Sequence, residues 1–434
     1  MTPDILIINS LLVPLAPDLP ETMAPGYVAI RAGKIVSMGM MADLLPGQSA
    51  GKVIDAAGKL LMPGLINCHT HAAMTLFRGL ADDLPLSVWL YEHIFPAEAR
   101  VLSPETVYWG TRLAALEMIR AGITTVADGY FYEDDAARAF LDSGLRAVAA
   151  QGVIDFPAPG VPYPKDNVRY ATEYIDQWQG QSALVTPAVF CHSPSTCSAA
   201  TLRAAKEMAR EKKVLFFIHV AETRDENALI RKEHGCTPVQ WLNGLGVLDA
   251  DTVCVHCVWL EETDLDILAA TGVKVAHCQQ SNMKLASGVA PVVAMLSRGI
   301  PIGLGTDGCA SNNRLDLFGE LDSTAKFAKA IAKDPTVLPA SKALTLAASG
   351  AADVLGMRGA IGGLTPGMRA DLILLNTNQA HLVPLYHAHS HLVYTASGAD
   401  VETVIINGQV VMERGEILLF DAAEVLARVR ALCL

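Results

Sequence analysis

The sequence predicts an α/β protein in which a (β/α)8 barrel of the TIM type is joined to a small β-sandwich built from both ends of the chain. Strand-like segments separated by proline and glycine crowd the first sixty and the last seventy residues. Between them, short apolar runs alternate with helix-like stretches. We therefore predict that residues 1–60 and 365–434 form the sandwich and that residues 61–364 form the barrel.

The two ends of the chain have the same β-rich character. Strand-like residues occupy 5–13, 26–31, 34–39, 370–376, 401–407 and 409–414. The turn signals Asn407-Gly408 and Arg414-Gly415 mark the ends of the last two segments. Because both ends flank a middle of different character, a single sheet domain assembled from the two termini is the economical arrangement.

The middle of the chain contains eight apolar runs of β type. They are residues 61–68, 124–128, 147–154, 183–191, 214–220, 252–258, 273–276 and 301–304. Helix-like stretches such as 105–121, 199–211 and 291–298 lie between them. This alternation predicts parallel strands that close into a barrel, whose active site lies at the carboxyl ends of the strands.

Composition narrows the function. The chain has 434 residues, of which 51% are hydrophobic and 18% charged, so a large core is expected. The formal net charge of −12 argues against a nucleic-acid groove. The odd number of cysteines, several of them inside apolar runs, predicts free thiols in a reducing compartment. With no signal-like N-terminus and no apolar run long enough to span a bilayer, we expect a cytoplasmic protein without a membrane partner.

Potential metal ligands follow three of the predicted strands. His69 and His71 are two residues apart, and in extended structure such side chains point the same way. His219 lies near the end of the run 214–220, and Asp307 follows the last run. Three imidazoles and a carboxylate suit one divalent metal per chain, zinc first, although iron, manganese or nickel would accept the same ligands.

Four motifs resemble those of the amidohydrolase superfamily, and the likeness covers nearly the whole chain. Residues 63–71 are similar to its opening strand motif, His219-Val220-Ala221-Glu222 to its HxxE element, Gly305-Thr306-Asp307-Gly308 to its last-strand motif, and residues 367–375 to the strand that returns to the sandwich. The resemblance implies a metal-dependent hydrolase with a barrel fold.

The resemblance also implies catalytic roles. Glu222, three residues after His219, corresponds to a proton shuttle, and His256 to a histidine that contacts the reacting centre. Asp307 is implied as both ligand and base. In this interpretation Asp307 and His256 take the proton of water while Glu222 protonates a ring nitrogen of the substrate.

The run 183–191 contains no lysine. Binuclear members of the superfamily commonly bridge two metals through a carboxylated lysine on this strand, so its absence favours one metal and deamination over the opening of a cyclic amide. His192 closes the run instead. The resemblance implies that His192 contacts a purine, whereas by itself it would be a turn histidine beside Pro194.

Further segments narrow the range of substrates. Residues 74–86, Trp89-Leu90, 281–285 and 288–291 resemble the corresponding segments of bacterial 5′-methylthioadenosine/S-adenosylhomocysteine deaminases. In that family a glutamate shortly after the Trp-Leu pair binds the two ribose hydroxyls, and Glu98 is the matching residue here. The resemblance therefore implies a nucleoside substrate contacted by Glu98 and Trp89. Without it, Glu98 would be a helix-surface glutamate.

One position departs from the family. Gln151 precedes Gly152-Val153-Ile154-Asp155, where family members often carry an arginine. We expect Gln151 to contact the substrate. Glutamine cannot pair ionically with an amino-acid carboxylate, so methylthioadenosine or adenosine is favoured over S-adenosylhomocysteine unless Arg169 takes the missing role.

Three alternatives stay open. An aminohydrolase or chlorohydrolase of triazine or guanine rings would use the same metal ligands, but Glu98 would then have no ribose to bind. A binuclear cyclic-amide hydrolase would hold two metals, and a non-catalytic binding homologue would have lost a ligand or Glu222.

The histidines at positions 381, 387, 389 and 391 are open to interpretation as a second metal site or as packing and solvated residues. A homo-oligomer is compatible with the sequence.

Overall fold

The computed structural model describes residues 2–432, which form two sheets and a surrounding layer of helices. In chain order the strands are β1 (Ile5–Leu12), β2 (Met23–Arg31), β3 (Lys34–Met40), β4 (Lys52–Asp55), β5 (Lys59–Pro63), β6 (Leu65–Thr70), β7 (Ile123–Tyr130), β8 (Arg146–Val153), β9 (Val185–Cys191), β10 (Phe216–Val220), β11 (Thr252–His256), β12 (Lys274–His277), β13 (Ile302–Leu304), β14 (Leu372–Asn376), β15 (Val401–Ile406), β16 (Gln409–Glu413) and β17 (Glu416–Ile417).

The helices in chain order are α1 (Leu86–Val88), α2 (Phe95–Val101), α3 (Pro104–Arg120), α4 (Glu133–Ser143), α5 (Asn167–Trp178), α6 (Ala199–Lys212), α7 (Arg224–His234), α8 (Pro238–Gly244), α9 (Glu262–Thr271), α10 (Gln279–Lys284), α11 (Val292–Ser297), α12 (Leu317–Ala332), α13 (Ala340–Thr345), α14 (Ser349–Val354), α15 (Ala388–Tyr394) and α16 (Ala422–Leu432). A π-helical stretch, Trp89–Ile94, joins α1 to α2. Among the described residues, no helix has both the length and the apolar character that crossing a membrane requires.

Strands β6 to β13 form a parallel sheet in which neighbours along the chain are also neighbours in space. The end of the sheet is brought back to its beginning by two hydrogen bonds. The backbone N–H of Asp307 donates to the carbonyl of His69 at 3.0 Å, and that of Thr306 donates to the side-chain oxygen of Asn67 at 3.0 Å. The predicted (β/α)8 barrel is confirmed, and each of the eight apolar runs overlaps one of its strands.

The barrel interior is filled by side chains from alternate strand positions. Ile66, Val148, Phe190, Phe217 and Val255 belong to one buried cluster, as expected for residues that share the inner face of the strands. Residues at the intervening positions pack with the helices in the larger core cluster.

The first apolar run, 61–68, is not one strand but parts of two. Strand β5 pairs antiparallel with β14 in the terminal sheet, whereas β6 pairs with β7 in the barrel. Gly64 separates them, and a Cβ atom there would lie 2.1 Å from the Thr124 hydroxyl oxygen. Only glycine lets the chain pass this close to β7 as it moves from one sheet to the other.

The terminal strands form one mixed sheet of nine strands in the order β17-β16-β15-β14-β5-β1-β2-β3, with β4 paired to β1. This confirms that both ends of the chain build one sheet domain. Strands β4 and β17 and helix α16 were not among the predicted elements, and α16 packs against the barrel helix α3. The exact division into 1–60 with 365–434 and 61–364 stays a prediction. Strand β5 extends the terminal sheet beyond residue 60, as far as Pro63.

A buried ion pair ties the two sheets together. Arg146, at the start of β8, donates from Nε to Asp371 Oδ2 at 2.7 Å and from Nη2 to Oδ1 at 3.0 Å, and both side chains are at most 4% exposed. Asp371 Oδ1 also accepts the backbone N–H of Asn407. The carboxylate therefore holds a barrel strand and the turn after β15 at once.

We predict that Asp371→Asn destabilises the protein by about 3–5 kcal/mol, because it leaves a buried guanidinium without its counter-charge. The matched control is Asp353→Asn, whose partner Arg358 is 78% exposed, and which we expect to cost less than about 1 kcal/mol. The shift of the urea midpoint measures both. Equal shifts for the two variants would contradict the role given to the buried pair.

Candidate active site

The carboxyl ends of the barrel strands open into a cavity of about 340 Å³. One wall is the segment after β6, which contributes Leu86, Trp89 and Phe95 through α1, the π-helical stretch and α2. The floor contains the barrel histidines. A pocket of this size, largely apolar with a few convergent polar groups, is typical of a small-molecule site.

Four polar side chains meet at the floor of the cavity. The Nε2 atoms of His69 and His219 are 3.4 Å apart, and Asp307 Oδ1 lies 3.3 Å from Nε2 of His69 and 3.4 Å from Nε2 of His71. Ligand atoms bound 2.0–2.1 Å from one tetrahedral zinc are about 3.3–3.4 Å from each other. These separations therefore fit a single divalent metal at the centre of the set.

The protonation of the histidines also fits a metal. His71 donates from Nδ1 to the carbonyl of Gly129 at 2.6 Å, and His219 donates from Nδ1 to the carbonyl of His192 at 2.7 Å. Each bond fixes the tautomer that leaves a lone pair on Nε2, which is the usual arrangement around a bound metal. Burial lowers the pKa of His69 to about 4, so this ring is neutral near pH 7.

Asp307 is held by its surroundings on both oxygens. It follows β13 with a left-handed φ of 60°, and its Oδ2 accepts hydrogen bonds from Ser281 Oγ at 2.6 Å and Ser311 Oγ at 2.9 Å. Burial raises its pKa, but the neighbouring imidazoles of His69 and His71 outweigh burial and hold the pKa well below the usual range. The carboxylate is therefore ionised and faces the histidines.

Glu222 and His256 lie beside this set. Glu222 Oε2 is 3.8 Å from His256 Nε2, and Ser287 Oγ donates to Glu222 Oε1 at 3.4 Å. Burial raises the pKa of Glu222, which makes it easier to protonate than an ordinary glutamate. His256 ends β11 with a φ of 72°, a backbone conformation that non-glycine residues adopt at an energetic cost and often at functional positions.

The candidate ligands form one centre. Within residues 2–432, the groups of three or more side chains that come close enough to hold an ion are His69, His71 and His219, and His69, His256 and Asp307. Both contain His69. The C-terminal histidines do not join them: His381 pairs with Asp400 at 2.9 Å, and His391 bonds to backbone carbonyls. The second interpretation, of packing and surface residues, suits these contacts.

Glu98, Trp89 and His192 all line the same cavity. Glu98 on α2 is 3% exposed, and its Oε1 accepts a hydrogen bond from the Tyr130 hydroxyl at 2.5 Å. Burial raises its pKa to about 7, although the Tyr130 hydrogen bond acts in the opposite direction. His192 shares a hydrogen bond between Nδ1 and Thr196 Oγ1 at 2.8 Å, and burial lowers its pKa to about 4.

Gln151 is not among the residues that line the cavity, so the structure does not bring it together with the other predicted substrate contacts. On β8, Val148 and Ala150 face the barrel interior, whereas Gln151 has the register of Ala149, which faces the helices. Its Nε2 donates to the carbonyl of Gly152 at 3.2 Å, and it is Gly152 that lines the cavity.

Arg169 does not replace it. Its guanidinium is about half exposed and pairs with Glu173 at 2.8 Å.

The cavity lining contains no lysine or arginine among the described residues, whereas five carboxylates line it: Glu98, Glu222, Asp225, Glu226 and Asp307. The cavity is therefore electrically negative in the absence of a metal.

Sequence reasoning missed four side chains that hold the site. They are Tyr130, Ser281, Asn282 and Ser311, which bond to Glu98, Asp307, His256 and Asp307 respectively. The rule that functional groups follow barrel strands would have found Tyr130, because β7 runs two residues beyond the predicted strand 124–128. Ser281 and Asn282 lie in a segment whose family resemblance gives them no individual role.

Cys254 and Cys257 form a C-x-x-C pair around His256. Both thiols are free and completely buried. The hydrogen bond with Cys254, together with burial, raises the pKa of Cys257 well above its usual value. Among the described residues, neither thiol joins a group of side chains close enough to hold an ion, which argues against a thiolate metal ligand.

The barrel, the convergent histidines and the adjacent carboxylates define a hydrolase with a divalent-metal centre. Residues 60–411 match the Amidohydrolase family, and the chain belongs to that family. It is a hydrolase that acts on carbon–nitrogen bonds.

Its relatives are similar over nearly their whole length. The chain is 46% identical to a 5-methylthioadenosine/S-adenosylhomocysteine deaminase of Syntrophobacter fumaroxidans, covering 98% of this chain and 97% of that protein. It is 42% identical to a 5′-deoxyadenosine deaminase of Methanosarcina mazei, covering 98% and 96%. The crystal structure of a zinc-bound adenosine deaminase from Xanthomonas campestris matches with a TM-score of 0.96 at 36% identity, covering 99% and 98%.

We predict that the active protein contains close to one zinc per chain and that dialysis against a chelator removes both the metal and the activity. Because a metal that binds only the folded protein adds about 2.7 kcal/mol of stability at a free concentration 100 times its Kd, zinc should also raise the melting temperature of the stripped protein. Elemental analysis and thermal melts test this. His219→Ala lacks one candidate ligand, so the variant should contain little zinc, and added zinc should not raise its melting temperature. Two metals per chain would contradict the single centre.

Proposed function

We propose that the protein is a hydrolytic deaminase of adenosine-type nucleosides, which converts the 6-amino group of the purine to a carbonyl and releases ammonia. The observation that carries the proposal is that the buried Glu98 carboxyl lines the same cavity as the His/Asp set, Glu222 and His256. The deaminase names of the two sequence relatives and of the Xanthomonas structure support it.

Zinc is the proposed metal, with His69, His71, His219 and Asp307 as its ligands. The ligand types and separations support it, and the Xanthomonas structure has zinc bound. When bound, the metal makes the attacking water more acidic. The remaining steps are proton transfers by side chains of this chain.

The proton path follows from the ionisation of each group. Asp307 is ionised and His256 lies within hydrogen-bonding reach of the same space, so both are suited to accept a proton from the attacking water. Glu222, whose pKa burial raises, is suited to deliver a proton to the purine N1. The water oxygen bonds to C6 of the purine, and the first proton taken from the water replaces the one that Glu222 gave to N1. The second proton of the water moves to the amino group, the bond between C6 and that nitrogen breaks, and ammonia leaves.

Glu98 supplies the preference for a nucleoside over a bare ring. An ionised carboxylate accepts hydrogen bonds from two vicinal hydroxyls, which ribose offers and a triazine or guanine ring lacks. In an enzyme for a bare heterocycle, a carboxylate this deeply buried would bear its desolvation cost without a partner on the substrate. The burial of Glu98 thus favours the nucleoside hypothesis over its heterocyclic rival.

The 5′ substituent is proposed to be small and uncharged. A free carboxylate on the substrate would find no lysine or arginine in the lining and would face the negative cavity. Methylthioadenosine, 5′-deoxyadenosine and adenosine carry no carboxylate, whereas S-adenosylhomocysteine carries one that has no cationic partner in this lining. We also propose a cytoplasmic location, which the free state of the eight described cysteines supports.

Ultraviolet absorbance of the zinc-loaded protein with each candidate substrate tests the function. We expect methylthioadenosine, 5′-deoxyadenosine and adenosine to be deaminated with kcat/KM at least about tenfold above that of S-adenosylhomocysteine, corresponding to about 1.4 kcal/mol. Gln151→Ala, which alters a side chain outside the cavity, is the control and should leave these ratios unchanged. If the protein turned over guanine or a triazine but no adenosine derivative, the proposal would be contradicted.

Nucleoside binding should weaken below about pH 7. The raised pKa of Glu98 means that its carboxyl takes up a proton as the pH falls through about 7, and the protonated form accepts fewer hydroxyl hydrogen bonds. The inhibition constant of inosine should then rise by up to about tenfold per pH unit on the acidic side.

The same titration with Glu98→Gln isolates this effect, because glutamine does not ionise. We expect the variant to bind inosine weakly with little pH dependence across this range. A steep acidic loss of inosine binding that persists in Glu98→Gln would assign the titration to another group.

A further inference from the structure

We propose that Asn282 is a positioning residue for deamination, which fixes the orientation and tautomer of His256 through a hydrogen bond to its Nδ1. The inference rests on the proposed function, since it concerns the proton transfers described above. Asn282 does not line the cavity, so it acts on the reaction only through His256.

The hydrogen bond itself has ordinary length and is buried. Asn282 Oδ1 lies 2.9 Å from His256 Nδ1, and both residues are at most 1% exposed. An amide oxygen only accepts, so Nδ1 carries the hydrogen and Nε2 is left to exchange protons. Nε2 is also the atom that lies 3.8 Å from Glu222 Oε2.

The backbone of Asn282 is fixed on both sides. Its N–H donates to the carbonyl of Cys278 at 3.0 Å inside α10, and its carbonyl accepts the N–H of Ser287 at 2.9 Å. Because these two bonds hold the backbone of Asn282 in position, the side-chain atom Oδ1 is held at one place, next to His256 Nδ1. A fixed acceptor of this kind sets the plane of the imidazole ring that it meets.

His256 needs such a support. Its φ of 72° ends β11 in a left-handed turn rather than in regular strand geometry, so the strand does not by itself direct the ring. The ring stacks on His219 with centroids 5.3 Å apart, a contact that leaves open the half-turn about the Cβ–Cγ bond that exchanges the positions of the ring atoms. The bond to Asn282 removes that freedom.

The amide has no other partner that would explain it. Asn282 Nδ2 is buried and makes no hydrogen bond within the described residues, so the side chain is not part of a wider structural network. A buried donor left unpaired costs about 1–3 kcal/mol. The one bond that the side chain does make is to His256.

Neighbouring residues of the same segment also form hydrogen bonds to the groups assigned to proton transfer. Ser281 donates to Asp307 at 2.6 Å, and Ser287, which lies after α10, donates to Glu222 at 3.4 Å. Residues 281–287 thus contact all three groups assigned to proton transfer. Asn282 is the member whose effect can be separated, because it bonds to His256 alone.

A double-mutant cycle on the zinc-loaded enzyme tests the proposal with methylthioadenosine as substrate. We expect Asn282→Ala to lower kcat about 10- to 100-fold, as for other groups that orient a histidine, with KM within about threefold. In a His256→Ala background the same substitution should change kcat less than twofold, since its target is gone. A purely structural role would give the same loss in both backgrounds and would overturn the proposal.

Two further variants keep the test decisive if His256→Ala is too slow to measure. Asn282→Asp retains an oxygen acceptor for Nδ1 and should keep more activity than Asn282→Leu, which matches the size of asparagine without an acceptor. Metal content and melting temperature confirm that each variant is folded and loaded. Equal kcat values for the two variants, or values within twofold of the parent, would overturn the proposal, whereas absent turnover by the parent would instead count against the proposed function.

Discussion

The closure of the barrel is the constraint on which the site depends. The backbone bond from Asp307 to His69 joins the end of the last strand to the first, and the same two residues present their side chains to the candidate metal. Residues more than 230 positions apart in the chain are thereby held within 3.3 Å. Any change that opens the barrel at this seam separates two candidate ligands, so the integrity of the fold and the geometry of the site are linked.

Around that centre, burial divides four carboxyl groups into different roles. Contacts with His69 and His71 keep Asp307 ionised, whereas burial raises the pKa values of Glu222 and Glu98 and makes both groups easier to protonate. Glu226, whose carboxylate accepts the backbone N–H of Glu222, has a pKa raised to about 7 by burial. A metal ion would add positive charge to this negative cavity, which is a physical reason for one cavity to contain so many acids.

The surrounding shell explains why the cavity residues point where they do. Tyr130 supports Glu98, backbone carbonyls support His71 and His219, and α10 with the residues after it reaches Asp307, His256 and Glu222. These supports come from strand ends and from one short helix. Their geometry is set by the barrel rather than by local sequence preference.

The sequence by itself determined the eight barrel strands and the return of both termini to one sheet, because each leaves a local signal, an apolar run or a turn. It also pointed to the candidate metal ligands, because polar residues directly after strands are a local signal as well. Gln151 shows the limit of that reasoning, since one step of strand register turned its side chain away from the cavity. The split of the run 61–68 at Gly64 shows it again, because the cause is contact with Thr124 sixty residues away. Only the tertiary structure decided the separations of 3.3–3.4 Å at the centre, the burial of Glu98 and the bond of Asn282 to His256. Each of these depends on distances between segments far apart in the chain, which no local pattern of residues encodes.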